Sequence, residues 1–201
     1  VCSTSWRDTE TGIEYTADEN GVITAKKPGE TTITVTADKT SQTCKVTVKQ
    51  PTVRLDRTSA SLYRKGTLRL SVSSTSKSIP RWKTNKKSVA TVDNEGKVTA
   101  IKNGTAIITV TVDGVSKTCE VTVKKPKITV GQEQISLTAG ETCQPKVTVS
   151  SGNKPEYYSS NTNVATVNET GMITAIGKGR AYIYAKEDGT KVRMTVTVKE
   201  K

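Results

Sequence analysis

The chain of 201 residues contains no histidine and no phenylalanine, and only 4% of its residues are aromatic. The absence of histidine removes the commonest general base and the usual partner of a serine or cysteine nucleophile. The 19 Asp and Glu residues stand singly in turn-like segments, and no pair recurs where an acid and a base would be needed. We therefore expect a protein that is not an enzyme and that uses no cofactor.

Long hydrophobic runs are also absent. No stretch approaches the roughly 20 apolar residues that a membrane-spanning helix needs, and the chain does not open on a basic segment followed by an apolar one. We expect no membrane insertion and no signal peptide in this stretch, which does not make the parent protein cytoplasmic. The abundance of Thr, Val and Ile favours strands over helices.

Cysteine is scarce, with four residues in the chain. Cys44 and Cys119 occupy the same position of the repeat described below, and Met194 takes that position in the third repeat. This exchange indicates a site for a medium-sized apolar side chain, so we expect these cysteines and Cys143 to be buried and unreactive. A disulfide between Cys2 and Cys44 is left open, because Cys44 is the one partner within the same repeat.

One five-residue segment recurs three times at a spacing of 75 residues. Its copies are Gly21–Ala25, Gly96–Ala100 and Gly171–Ala175. A period of this length suits a small domain with its own core, joined to its copies in tandem. We predict a partial first repeat at 1–50 and complete repeats at 51–125 and 126–201, with the prolines at 51 and 126 marking the linkers.

Each repeat shows the pattern of a β-sandwich. Alternating apolar residues in 104–112 predict a strand with one buried face, and Ile33, Ile108 and Ile183 share one position that should face the core. The dipeptides Asp113-Gly114 and Asp188-Gly189 suit tight hairpins. We predict six or seven short strands in each repeat and an all-β fold of tandem, immunoglobulin-like, antiparallel sandwiches.

The first repeat lacks the counterpart of residues 51–75, which we interpret as two strands of the second repeat. Its apolar side chains, among them Ile33, Val35 and Val46, should therefore lose part of their cover, and one sheet should keep an unpaired edge. We expect either that residues preceding Val1 in the parent protein complete the fold or that a strand from a neighbouring molecule does so by strand addition or swapping.

Positive charge is concentrated in the second repeat. It has 15 Lys and Arg residues against 5 Asp and Glu, compared with 6 against 7 in the first repeat and 10 against 7 in the third. Eight of its residues form a candidate contact for a polyanion or glycan: Arg64, Lys65, Arg69, Arg81, Trp82, Lys83, Lys86 and Lys87. Two interpretations of Trp82 stay open, since it either stacks on a ligand or fills the sandwich core and leaves the cations as a solvated rim.

Two turn segments cluster oxygen donors that calcium prefers, Asp18–Gly21 and Asp93–Gly96. Four residues rarely supply the six or more ligands of a calcium site, and the third repeat, with Asn168 at the first position, has one carboxylate fewer. We interpret these segments as ordinary turns and expect no metal.

The second repeat resembles the bacterial immunoglobulin-like domain, group 2. The resemblance rests on Trp82 followed by four motifs in fixed order, which are Ser88–Val92, Gly96–Ala100, Gly104–Val110 and Val121–Val123. The third repeat matches with Tyr157 in place of the tryptophan, and the first matches from Trp6 onward. The family implies a β-sandwich from a secreted or surface-attached bacterial protein, such as an adhesin of the intimin kind, and it carries no catalytic residues.

We therefore expect a non-catalytic spacer or adhesion array, extracellular, at the bacterial cell surface or secreted. Its expected partners are host or cell-wall glycans or a protein receptor, with no specific nucleic acid. The alternatives are a polyanion- or glycan-binding module centred on the second repeat and a decoration domain of a phage virion.

Overall fold

A computed structural model describes residues 5–8, 15–17, 20–25, 28–37 and 39–200. The chain divides into two compact units. The first comprises 1–56, 71–82 and 109–118, and the second comprises 57–70, 83–108 and 119–201. The second unit therefore contains the whole third repeat together with three segments of the second repeat.

The described residues of the first repeat form two sheets. One has the strand order β1-β4-β5, and the other pairs β2 with β3. The strands are β1 (Ser5–Asp8), β2 (Tyr15–Ala17), β3 (Ile23–Ala25), β4 (Gly29–Ala37) and β5 (Thr40–Val48).

The second repeat has nine strands in three sheets. They are β6 (Val53–Leu55), β7 (Ser59–Leu62), β8 (Thr67–Arg69), β9 (Val72–Ser74), β10 (Arg81–Thr84), β11 (Ala90–Val92), β12 (Lys97–Ala100), β13 (Gly104–Val112) and β14 (Val115–Val123). The sheet orders are β10-β13-β14-β7, β11-β12-β8 and β6-β9.

The third repeat reproduces this arrangement. Its strands are β15 (Ile128–Val130), β16 (Gln134–Thr138), β17 (Thr142–Cys143), β18 (Val147–Val149), β19 (Glu156–Ser159), β20 (Ala165–Val167), β21 (Ile173–Ala175), β22 (Gly179–Glu187) and β23 (Thr190–Lys199). They form sheets with the orders β16-β23-β22-β19, β17-β21-β20 and β15-β18. The fold is an all-β sandwich, as the sequence predicts.

The predicted count of six or seven strands in each repeat is wrong, because the opening third of a repeat forms four short strands rather than two. A turn interrupts the alternation after Leu62. Lys65 adopts a left-handed φ of 69°, and the amide of Gly66 donates to the carbonyl oxygen of Tyr63 at 2.9 Å. Such a turn reverses the chain direction, so residues on its two sides pair with different strands.

Each complete sandwich also contains one parallel strand pair. β7 runs parallel to β14, with Ala60 opposite Val121, and β16 runs parallel to β23, with Ile135 opposite Val196. The other strand pairs with a described register are antiparallel. The opening segment of a repeat therefore lies beside its closing strand and becomes the end strand of the larger sheet.

The two predicted hairpins form as expected. Asp113 and Gly114 have φ of 44° and 82°, and Asp188 and Gly189 have φ of 41° and 82°. Positive φ at both central residues matches the right-handed twist of the flanking strands. The sequence Asp-Gly therefore sets the connection between the two longest strands of each complete repeat.

The core of the third repeat is thin and apolar. Its buried members are Ile135, Val164, Ala165, Ile173, Ala175, Ala181, Ile183, Met194, Val196 and Val198. Ile33, Ile108 and Ile183, the three equivalent isoleucines, are 2%, 0% and 0% exposed, which confirms the predicted inward face.

The prediction that Cys44 is buried is wrong. Cys119 is fully buried and Cys143 is partly buried, but Cys44 is exposed and its thiol is free. In the second repeat β14 lies between β13 and β7, whereas β5 ends its sheet in the described part of the first repeat. Cys44 therefore lacks the neighbouring strand that covers Cys119, while Cys2 lies outside the described residues.

Candidate binding surfaces and the junction of the second and third repeats

Strand β10 carries the centre of the predicted basic cluster. Arg81 and Lys83 are exposed, whereas Trp82 is half-buried and Thr84 is buried, so tryptophan lies on the inward side of the strand. Lys86 and Lys87 are exposed in the turn that follows. This placement supports the interpretation of Trp82 as part of the core with a rim of cations outside it.

The remaining predicted cations lie on and before β8, and both arginines there are paired with carboxylates. The guanidinium of Arg69 donates to Glu95 Oε2 from both terminal nitrogens, each at 3.2 Å. Arg64 forms an ion pair with Glu187 at 2.9 Å. Lys65 is the residue with positive φ in this turn. Arg64 thus contacts the third repeat rather than presenting a free charge.

Glu187 is the centre of a polar cluster within the second compact unit. Its side chain is 0% exposed. The Nε of Arg64 donates to Oε1 at 2.9 Å, Asn153 Nδ2 donates to the same oxygen at 3.2 Å, and the Ser151 hydroxyl donates to Oε2 at 3.3 Å. Asn153 Nδ2 also donates to the carbonyl oxygen of Arg64 at 2.9 Å. A buried carboxylate is tolerated only with such partners.

A second polar contact lies at the β22–β23 hairpin. Asn103 of the second repeat donates from Nδ2 to the carbonyl oxygen of Asp188 at 2.6 Å and to its Oδ1 at 3.1 Å, and its backbone amide donates to Oδ1 at 3.2 Å. Asp188 Oδ2 is buried without a hydrogen-bond partner among the described residues. The hairpin turn therefore attaches to the second repeat through one carboxylate oxygen and the backbone.

These junction residues are particular to one pair of repeats. At a spacing of 75 residues, Glu187 corresponds to Val112, Asn103 to Pro28, and Asn153 to Ser78. Sequence reasoning missed the junction, although the replacement of an inward-facing valine by glutamate was a signal that could have identified it. The same contacts are therefore not encoded where the first repeat meets the second.

A cleft of about 630 Å³ lies beside the Arg64–Glu187 pair. It is lined by Arg64, Lys65, Lys154, Pro155, Glu156, Tyr157, Val167, Asn168 and Glu169. Burial raises the pKa of the Tyr157 hydroxyl above its usual value, and a Cβ at Gly171 would lie 2.7 Å from the Tyr157 ring. Tyr157 thus occupies in the third repeat the position that Trp82 has in the second, and its ring leaves no room for a side chain at Gly171.

The segment Asp93–Gly96 is an ordinary turn in its hydrogen bonding. Asp93 Oδ1 accepts the backbone amides of Glu95 and Lys97, both at 2.9 Å, and these bonds, Lys97 first, hold the pKa of Asp93 below its usual range. In the third repeat Asn168 Oδ1 accepts the amides of Thr170 and Met172 at 2.9 and 3.0 Å. The side-chain oxygen of Asn168 accepts the same hydrogen bonds as the carboxylate of Asp93, so the turn does not require a negative charge.

Two further observations concern the part of the chain that the structure describes. His, Cys, Asp and Glu side chains nowhere form a group of three that could hold a metal ion. No helix in that part is long and apolar enough to cross a membrane.

Comparison with known proteins identifies the family. The model of the bacterial Ig-like domain (group 2) matches residues 50–123 and 124–198. The two matches together cover well over half of the chain. The chain therefore belongs to the group 2 family of bacterial Ig-like domains.

The chain is also similar to solved structures of low sequence identity. The I9–I11 tandem from titin is 12% identical, with 99% of this chain and 89% of that chain covered at a TM-score of 0.51. Domains 4 and 5 of the S-layer protein SbsC are 24% identical, with 75% and 98% covered at 0.33. A C-terminal 282-residue fragment of intimin, in complex with the intimin-binding domain of its translocated receptor, is 17% identical, with 74% and 64% covered at 0.36. No curated protein matches the chain.

Proposed function

We propose that the chain is a non-catalytic spacer and adhesion segment of a bacterial cell-surface or secreted protein. The observation that carries this proposal is the tandem pair of group 2 Ig-like domains at 50–123 and 124–198. Repeated sandwiches of one family provide length and surface without a catalytic constellation. The partners we propose are host or cell-wall glycans or a protein receptor.

The polar junction supports the spacer part of this proposal. Pulling the second and third repeats apart would expose the buried Arg64–Glu187 pair and break the Asn103–Asp188 contacts. Charge-assisted hydrogen bonds have strict geometry, so such a junction favours one arrangement of the joined elements. A segment that keeps its repeats in place suits a spacer better than a flexible tether does.

Surface labelling tests the proposal. An antibody raised against residues 51–201 should label intact cells of the source bacterium, and protease treatment of intact cells should remove the label. An antibody against a cytosolic enzyme, which should stain only permeabilised cells, is the control. Labelling that requires permeabilisation, with no antigen in the medium, would contradict an extracellular location.

A second candidate function is polyanion contact by the second repeat. The observation that favours it is the exposure of Arg81, Lys83, Lys86 and Lys87 in the repeat with the largest excess of positive charge. Reversal of these four charges to glutamate should abolish salt-sensitive retention of the chain on a polyanion column. Retention that survives the four reversals would exclude this surface as the contact.

A further inference from the structure

The outer face of the four-stranded sheet in the third repeat carries a strip of aromatic and cationic side chains. The rings of Tyr158 and Tyr184 stack with centroids 4.8 Å apart and planes at 19°. The Lys191 ammonium lies 4.7 Å from the centroid of Tyr184, and the Arg193 guanidinium lies 4.6 Å from that of Tyr182. We call these five residues the tyrosine strip, and they belong to β19, β22 and β23 within the second compact unit.

The tyrosine strip departs from the repeat pattern at three of its five positions. Across the three repeats the position of Tyr184 holds Thr34 and Thr109, that of Lys191 holds Ser41 and Ser116, and that of Arg193 holds Thr43 and Thr118. Apart from Glu187, the buried inward positions of β22 and β23 keep their apolar residues. The sandwich therefore forms without the strip, and the fold does not explain why aromatic and cationic residues gather there.

The strip also includes an arrangement that is unfavourable for stability. In the first two repeats a threonine and a serine hydrogen-bond across the hairpin, Thr36 with Ser41 at 2.8 Å and Thr111 with Ser116 at 2.7 Å. The third repeat pairs Lys186 directly with Lys191 at this place. Like charges on opposed residues of an antiparallel pair are destabilising. Glu156 lies opposite Lys186 on its other side, which leaves Lys191 and Arg193 without an opposed carboxylate among the described strands. A face that exchanges a hydrogen bond for charge repulsion is suited to an anionic ligand that relieves the repulsion.

We infer that the tyrosine strip binds an acidic glycan, whose carboxylate or sulfate groups contact Lys186, Lys191 and Arg193 and whose sugar rings lie against the tyrosines. Tyr182 and Tyr184 are half-buried. Tyr158 is 41% exposed, and tyrosine offers an apolar ring with a hydroxyl that can hydrogen-bond. The inference deepens the adhesion part of the proposed function and rests on it.

The chemistry of the face favours a glycan over a protein. The residues that point outward on these three strands are Glu156, Tyr158, Arg180, Tyr182, Tyr184, Lys186, Lys191, Arg193, Thr195, Thr197 and Lys199, and none of them is aliphatic. Protein interfaces are enriched in tyrosine and arginine but depleted of lysine, and here two lysines face each other at the hairpin. A hydrophilic polymer with regularly placed anions fits such a flat, cationic surface better.

Binding measurements with the complete chain test the inference. The probes are polygalacturonate, which is a polymer of uronic acid, dextran as a neutral glycan, and polyphosphate as a polyanion without sugar. We expect the tightest binding to polygalacturonate, and about a tenfold loss in Y182I/Y184T, which removes two rings and no charge. K191S/R193T should lose affinity and its salt dependence together. These four substitutions introduce the residues of the second repeat, and K127S/K146T is the control that removes two lysines elsewhere in the third repeat.

Backbone NMR of the unmodified chain provides a measurement that needs no variant. On addition of polygalacturonate, amide shifts should change on β19, β22 and β23. Three results would each overturn the inference. The first is equal affinity for polyphosphate with no loss of binding in Y182I/Y184T, and the second is a set of amide shifts confined to β10 and the turn after it. The third is capture of an acidic protein with no glycan binding. Those results would leave the surface labelling of the parent protein, and with it the spacer role, unaffected.

Discussion

Glu187 shows how one residue gives a repeat a property that its neighbours lack. The equivalent Val112 is 1% exposed, so the fold offers an inward-facing site that is normally apolar. A carboxylate there is stable only because Arg64, Asn153 and Ser151 donate to it. The burial of Glu187 thus depends on a side chain from the preceding repeat.

Removal of Arg64 should reveal this dependence. R64A leaves a buried carboxylate without its cation, so we expect it to lower the free energy of unfolding by about 3 kcal/mol. The double variant R64A/E187V should recover part of the loss, because valine suits the site in the second repeat. Urea unfolding followed by circular dichroism measures both.

The matched control is R69A, which breaks the exposed pair with Glu95, where the two side chains are 63% and 71% exposed. An exposed pair contributes at most about 1 kcal/mol, so R69A should stay close to the unmodified chain. If R64A proved as mild as R69A, Arg64 would not be what compensates the buried charge of Glu187.

Cys44 and Cys119 share a repeat position but differ in burial. We expect a thiol reagent to label Cys44 rapidly in the folded chain and Cys119 only after addition of denaturant, because the thiolate must reach the reagent. Mass spectrometry of peptides after a short labelling pulse measures both sites in one sample. Protection of Cys44 in a dilute monomer would show that some further part of the chain covers β5.

At the scale of single elements, the turn before β12 and the turn before β21 are the same structure with different acceptors. Asp93 accepts the amides of Glu95 and Lys97, and Asn168 accepts those of Thr170 and Met172. A side-chain oxygen two residues before the amide is the feature that such turns require. The charge of Asp93 is therefore an addition that the third repeat lacks.

This difference predicts a pH dependence. The pKa of Asp93 is lowered from 3.8 in the folded chain, so its ionised form contributes stability that is present above about pH 4 and is lost as the pH falls through the folded pKa. D93N should keep the turn and weaken the acid destabilisation of the second repeat. Urea midpoints measured between about pH 5 and pH 2 test this. E120Q, which removes an exposed carboxylate outside the turn, should leave the acid destabilisation unchanged.

At the scale of the whole chain, the first repeat is less well covered than the other two. In its described part Ile33 and Thr31 are buried, while Val46 is half-buried and Cys44 is exposed. The equivalent residues of the third repeat, Val196 and Met194, are both 0% exposed. The strands of the first repeat therefore form with the same register but with less apolar contact on their inner side.

Hydrogen exchange should report this difference directly. We expect the amides of β4 and β5 to exchange faster than those of β13 and β14 or of β22 and β23, because local opening exposes less apolar surface there. Any concentration-dependent dimer should slow exchange in β5 first, since an uncovered edge can pair with another strand. Equal protection of the three hairpins in a dilute monomer would contradict this prediction.

The sequence alone determined the class of fold, the inward face of the long strands and the hairpin turns. These features follow from local chemistry: alternation of apolar residues sets which face is buried, and Asp-Gly permits positive φ. Repetition strengthened the inference, because Ile33, Ile108 and Ile183 could be compared at one position. The same locality explains the failure with Cys44, whose position in the repeat predicts burial only where a neighbouring strand exists.

The tertiary structure alone decided which charges meet. Arg64 and Glu187 are separated by 123 residues, and their pairing depends on contact between elements of two repeats, which no alternation or turn motif encodes. The same holds for Lys191 and Tyr184, whose ring contact follows from the register of β22 and β23. Side-chain charge specifies what a residue can bind, but the packing of strands determines what lies within reach.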